Sequence, residues 1–129
     1  MAEKEIVRTE RAPAPFQGAP YNQAIKAGGL VFVAGQLGVR PGEQEMVSTE
    51  IAEQTEQVMQ NLGAILDAAG SGLDKLVKTT VFMQSLADFP GMNDVYAKHV
   101  GDRPPARSTF EVAKLPAGAL VEIEAIGHL

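Results

Sequence analysis

The sequence predicts an α+β fold, and three observations carry that prediction. Residues 48–70 repeat apolar side chains at helical spacing, and a shorter helical segment follows Asp88. Around these two lie β-branched or alternating segments of strand length. Their order is strand, hairpin, helix, strand, helix, strand, strand, which places two helices over one face of a mixed β-sheet.

Each element has a local reason. Glu5 to Thr9 (EIVRT) reads as a short first strand, followed by the Pro/Gly-rich loop RAPAPFQGAPYNQ. AIKAGGLVFVAGQ predicts two strands around Gly28-Gly29, a hairpin signal. Leu30, Val31, Phe32 and Val33 form a continuous apolar run, the pattern of a strand buried on both faces. In STEIAEQTEQVMQNLGAILDAAG, Ser48 is the predicted N-cap, Glu50 and Glu53 suit the positive N-terminal end, and Gly70 suits the C′ position. Ile51, Thr55, Val58, Leu62, Ile65 and Ala69 make one stripe, widened by Met59 and Leu66, with Glu53, Gln57, Gln60 and Asp67 opposite. LVKTTVFM, Leu76 to Met83, is β-branched and strand-like. Asp88 is the predicted cap of the second helix, with Pro90 in its first turn and its end near Val100, before Gly101. STFEVAKL and ALVEIEAIGHL are the final strands, joined by a turn at Pro116–Gly118. Apolar residues occupy both parities of several strands, so the second sheet face is expected to meet a partner in an oligomer.

Composition narrows the function classes. A chain of 129 residues is the size of one domain, taken as residues 1–129. Such a chain buries roughly two-thirds of its unfolded surface, enough for a core without covalent staples. With five Phe, two Tyr and no Trp, that core must be aliphatic. Cysteine is absent, which excludes disulfides and thiolate chemistry. A net charge of −5 counts against nucleic-acid or anionic-membrane binding, which need clustered Lys and Arg. No apolar stretch approaches the roughly 20 residues of a membrane span. The stretch MAEKEIVRTE has no apolar h-region or cleavage site, so no signal peptide is expected and the expected location is cytoplasmic.

Few residues are left to carry chemistry. In VEIEAI, strand alternation puts Glu122, Glu124 and Ile126 on one face. In RSTFEVA it puts Arg107, Thr109, Glu111 and Ala113 together, behind an approach stiffened by Pro104-Pro105. If these strands are neighbours, a guanidinium and a carboxylate converge; otherwise the glutamates are a wet strand face and Arg107 a surface cation. His99 and His128 lack metal-ligand spacing, so no metal site is expected, and His99 reads as support for a helix C-terminus. AAGSGLDK ends a helix and lacks the G-x-x-x-x-G-K of a phosphate loop. Ser108 has no histidine partner placed by motif, so a Ser-His-Asp triad has weak support.

GAPYNQA, VFVAGQ, KTTVFM, NDVYAKH, PPARSTFEV and VEIEAI occur in this order along nearly the whole chain. Together they resemble the RidA (YjgF/YER057c/UK114) family of reactive-intermediate deaminases, with P-x-R-S and E-I-E-A as its most specific segments. The resemblance implies a chorismate-mutase-like α+β fold and a homotrimer with active sites in clefts between subunits. It implies hydrolysis of 2-iminobutanoate or 2-iminopropanoate, released by pyridoxal-phosphate-dependent dehydratases, to a 2-oxo acid and ammonia, with no cofactor of its own. By the same resemblance Arg107 grips the substrate carboxylate and Glu122 positions or activates the attacking water. Tyr21, Asn93, Gly35 and the backbone at Thr109 match the remaining substrate contacts, and Glu124 is structural. The chain departs from many members at Ala34, where they have Ser, at Thr109, where they have Cys, and in GAPY, where they have GPY. Other readings are a sibling deaminase acting on 3-aminoacrylate or an aminomuconate, and a chaperone-like holdase. Translation inhibition or ribonuclease activity is ascribed to some relatives, and the acidic balance argues against RNA binding.

Overall fold

Strand alternation decides which side chains meet the helices and which are left outside. The structure is a computed structural model that describes residues 3–129; Met1 and Ala2 of the stretch read for a signal peptide lie outside the described residues. Its elements are β1 (Glu5–Val7), β2 (Ala24–Ala27), β3 (Leu30–Gln36), α1 (Ile51–Ala68), β4 (Leu76–Met83), α2 (Phe89–Val100), β5 (Ala106–Glu111) and β6 (Val121–His128). One sheet holds the strands in the order β1-β2-β3-β6-β4-β5. Pairing is antiparallel except between β4 and β5, which α2 joins as the crossover a parallel pair requires.

The α1 stripe folds as its spacing predicts. Val58, Met59, Leu62, Ile65 and Leu66 are fully buried, in one cluster with Val31 of β3, Val81 of β4 and Ile123 of β6. Met92 and Tyr96 of α2 join the same cluster, so both helices cover the same sheet face. Gly70 follows α1 with φ +86°, and its N–H and that of Ser71 donate to Asp67 and Leu66 carbonyls at 3.0 and 2.8 Å. That pair of bonds satisfies two of the carbonyls a helix end leaves open.

Several expectations need correction. Within one chain the run Leu30 to Val33 is not buried on both faces: Val31 and Val33 point to the helices, whereas Phe32 is 43 % exposed. Ser48 does not cap α1; Glu50 occupies that position, and Ser48 Oγ accepts from the Glu50 N–H at 3.0 Å in the turn leading in. Asp88 precedes α2 but makes no capping bond, while Ser85 Oγ accepts from Ala87 N–H one turn earlier. β5 is shifted toward the prolines relative to STFEVAKL, because its one partner, β4, ends at Met83. β6 starts at Val121 because the Leu120 N–H is already taken by Gln54 Oε1 at 2.8 Å. His99 does more than face a helix terminus: its Nε2 lies 2.8 Å from Glu56 Oε1, tying α2 to α1. Hydrogen bonding from His99, then from Gln60, holds the Glu56 carboxyl below its ordinary pKa.

The sheet face turned away from the helices carries Ile6, Phe32 and Phe110, 54, 43 and 53 % exposed. Among the described residues, no helix is long and apolar enough to cross a membrane.

Candidate active site

Glu122 lies on this open sheet face, where a fault in β3 makes room for it. Val33 pairs with Ala125 but Gln36 pairs with Ile123, so β3 carries one extra residue at Ala34-Gly35. Such a bulge re-aims the strand locally. It sets Gly35 beneath the Glu122 carboxylate, where an added Cβ would stand 2.6 Å from Oε2. Glycine is therefore needed for contact, not for backbone freedom. Burial, then the charge of Glu124, raises the Glu122 pKa above its ordinary value. The carboxylate opens into a cleft of about 420 Å³ lined by Phe16, Tyr21, Ala34, Gly35, Pro116 and Glu122. Tyr21 is pinned at the cleft wall, its hydroxyl accepting the Phe16 N–H. Gly35→Ala is expected to push the Glu122 carboxylate aside, seen in a crystal structure of the variant, with a thermal melt to check that the fold is kept.

Arg107 sits on the other side of the sheet. β5 places it opposite Thr79, which is fully buried toward the helices. Its guanidinium carbon lies 4.9 Å from the Tyr96 ring centroid and 5.4 Å from that of Phe89. Two aromatic faces thus hold a cation for which no carboxylate lies within salt-bridge distance among the described residues. Tyr96 is itself fixed, its hydroxyl 2.6 Å from Thr79 Oγ1. Burial raises the Tyr96 pKa, opposed by the Thr79 bond and the nearby Arg107. Asn93 lies on the α2 stripe between Phe89 and Tyr96 by helical spacing and is half-buried. Thr109 shares the Arg107 face of β5, opposite buried Val81.

The six residues singled out from the sequence therefore fall into two groups. Tyr21, Gly35 and Glu122 border the cleft on the open side, while Asn93, Arg107 and Thr109 lie on the helix side. Arg107 and Glu122 do not converge within one chain, because β4 separates β5 from β6 and Phe82 pairs with both Phe110 and Glu122. Residues paired across neighbouring strands share a face, so Glu122 lies with Phe110 and opposite to Arg107. The aromatic shelf of Phe89 and Tyr96 escaped the sequence reading, although its i, i+7 spacing around Asn93 was a usable signal. No three His, Asp or Glu side chains among the described residues gather where a metal ion could be held.

Comparison with known proteins agrees over nearly the whole chain. The family model described as Endoribonuclease L-PSP matches residues 9–129. Reactive Intermediate Deaminase A, chloroplastic, of Arabidopsis thaliana is 49 % identical over 98 % of this chain and 66 % of that protein. A RutC family protein of Pyrococcus horikoshii is 47 % identical over 97 % of this chain and 98 % of its own. The crystal structure of E. coli TdcF with bound serine superimposes with a TM-score of 0.88 at 36 % identity, covering 97 % of this chain and 98 % of that one. The YjgF gene product of E. coli gives a TM-score of 0.86 at 38 % identity, over 96 % and 98 %. A shared fold, a shared length and identity near one half with several relatives lead to one conclusion: the chain belongs to the RidA/YjgF family, whose model carries the description Endoribonuclease L-PSP.

Proposed function

We propose that the protein is a 2-iminobutanoate/2-iminopropanoate deaminase that works as a homotrimer, each site formed between two copies. One copy contributes Arg107, Asn93 and Thr109, and the next contributes Tyr21, Gly35 and Glu122. The observation that carries this reading is that one chain holds, on opposite sheet faces, a guanidinium with no carboxylate partner among the described residues and a cleft carboxylate. Neither half performs imine hydrolysis alone. The exposed Ile6, Phe32 and Phe110 give the apolar surface through which copies associate.

In this reading Arg107 binds the substrate carboxylate with two parallel N–H···O bonds, fixing the position of C2. Glu122 removes a proton from water as its oxygen attacks the C2=N carbon, and the bond electrons move to nitrogen. Glu122 then returns the proton to nitrogen, and the carbinolamine collapses to the 2-oxo acid and ammonia as its C–N bond breaks and its hydroxyl proton passes by way of Glu122 to the leaving nitrogen. Its raised pKa suits both transfers. A relative named Reactive Intermediate Deaminase A and a relative with bound serine, a small carboxylate, support the substrate class. The net charge of −5 argues against the RNA substrate that the family description implies.

The test generates 2-iminopropanoate from serine with a dehydratase and follows ammonia and pyruvate release. Added protein is expected to accelerate release; a rate equal to the protein-free control rejects the proposal. Running the same assay on 3-aminoacrylate and aminomuconate separates the sibling activities. The pH profile gives a second check, since Glu122 must be ionised to take the proton. The acid limb of kcat/KM is expected above the pKa of an ordinary glutamate, and Glu124→Gln, which removes a neighbouring negative charge, is expected to move it to lower pH.

A further inference from the structure

We propose that the side-chain hydroxyl of Thr109, and not only its backbone, binds ligand: Oγ1 donates a hydrogen bond to the carboxylate seated on Arg107. The inference rests on the anion seat assigned above and extends it to the side chain at position 109.

Thr109 Oγ1 is shielded from solvent and has no partner within hydrogen-bonding distance among the described residues. It stands apart from the other buried polar side chains. Thr55 Oγ1 donates to the Ile51 carbonyl at 2.8 Å, Thr79 is bound to Tyr96, and Gln54 and Asn61 are bonded at their amide groups. Buried polar groups are nearly always satisfied, so an orphan calls for a specific account. The strand conformation removes the helical escape that Thr55 uses, a bond back to its own preceding turn. The next residue on the same strand face is Arg107, whose guanidinium has donors only and accepts nothing from a hydroxyl. A carboxylate changes this. When it pairs with Arg107 bidentately, each of its oxygens keeps one free lone pair, and Thr109, by turning its hydroxyl about χ1 out of the shielded position, supplies a donor one strand step away. The ligand class that satisfies the hydroxyl is thus a small carboxylate, and the acceptor is the carboxylate, not a substituent at C2.

The experiment measures binding of butanoate and of 2-oxobutanoate by calorimetry to the wild-type protein, Thr109→Val and Thr109→Ser. Valine keeps the shape and removes the hydroxyl. Both acids are expected to bind Thr109→Val about ten-fold more weakly, a difference of about 1.4 kcal/mol. Thr109→Ser is expected to bind within about three-fold of wild type, or roughly 0.7 kcal/mol. The ligand-free Thr109→Val protein is expected to melt no lower than wild type, because the hydroxyl it loses has no partner there. Unchanged affinity in Thr109→Val overturns the proposal. So does a lower melting temperature or altered oligomeric mass with affinity retained, which assigns the hydroxyl to the fold or to a subunit contact. Loss confined to 2-oxobutanoate, or no binding of either acid to wild type at millimolar concentration, overturns it as well. Failure of the deaminase reading is separable: a wild-type protein that binds both acids through Arg107 and Thr109 but hydrolyses no imine sinks that reading alone.

Discussion

Arg107→Ala is expected to lower kcat/KM for 2-iminopropanoate by about 1,000-fold, with Arg107→Lys recovering little of it. Hydrogen bonds to a charged group contribute about 1.5–3 kcal/mol each, and a bidentate pair also fixes orientation. Lysine restores charge but not the planar fork, nor the stacking on Tyr96 and Phe89 that aims it. The fold does not depend on the cation in the same way, since no carboxylate among the described residues is left unpaired by its removal. Steady-state kinetics with a dehydratase-coupled assay measures the loss, and a thermal melt checks that the protein remains folded. Activity of Arg107→Lys near wild type would show that a point charge suffices and that the aromatic shelf has no positioning role.

Glu122→Gln is expected to lower kcat by about 100- to 10,000-fold while leaving KM within a few fold, the signature of a lost general base. The same change is expected to leave the melting temperature at neutral pH equal or higher. The sign follows from linkage. The folded-state pKa of Glu122 is raised, so its contribution to stability is full below the unfolded pKa and is lost as pH rises through the folded one. At neutral pH the native carboxylate is therefore a cost to the fold, and glutamine removes the charge that causes it. A variant that is both inactive and less stable would place Glu122 in the structure and not in the chemistry.

Much of this was legible in the sequence, and the part that was not has a physical cause. The α1 stripe, the Gly28-Gly29 hairpin and the alternation of β6 all follow from local periodicity, which a sequence displays directly. Gln54 and Asn61 sat on that stripe, one helical step from Val58 and Ile65, and are buried there. They bond the backbone of the segments around it, Asn61 reaching the Leu37 and Val39 carbonyls at 3.1 and 2.9 Å. A polar side chain in an apolar stripe was the available sign of that stitching. The relation between Arg107 and Glu122 was not readable. Period two says which residues of one strand share a face, but not which face, nor which strand lies between. β6 enters the sheet between β3 and β4, so β4 lies between it and its chain neighbour β5, and the registers on β4 set Glu122 opposite Phe82 but Arg107 opposite Thr79, on opposite faces.

That separation is the central claim, and mixing the two inactive variants tests it most directly. Arg107→Ala keeps Glu122, and Glu122→Gln keeps Arg107. If each site takes its arginine from one copy and its glutamate from the next, random assembly from equal amounts supplies both to about a quarter of the sites, one half for each copy. Co-expressed or co-refolded variants are thus expected to recover about a quarter of wild-type specific activity. Activity no greater than the sum of the two variants assembled separately would mean that one chain supplies both groups, and would contradict the account.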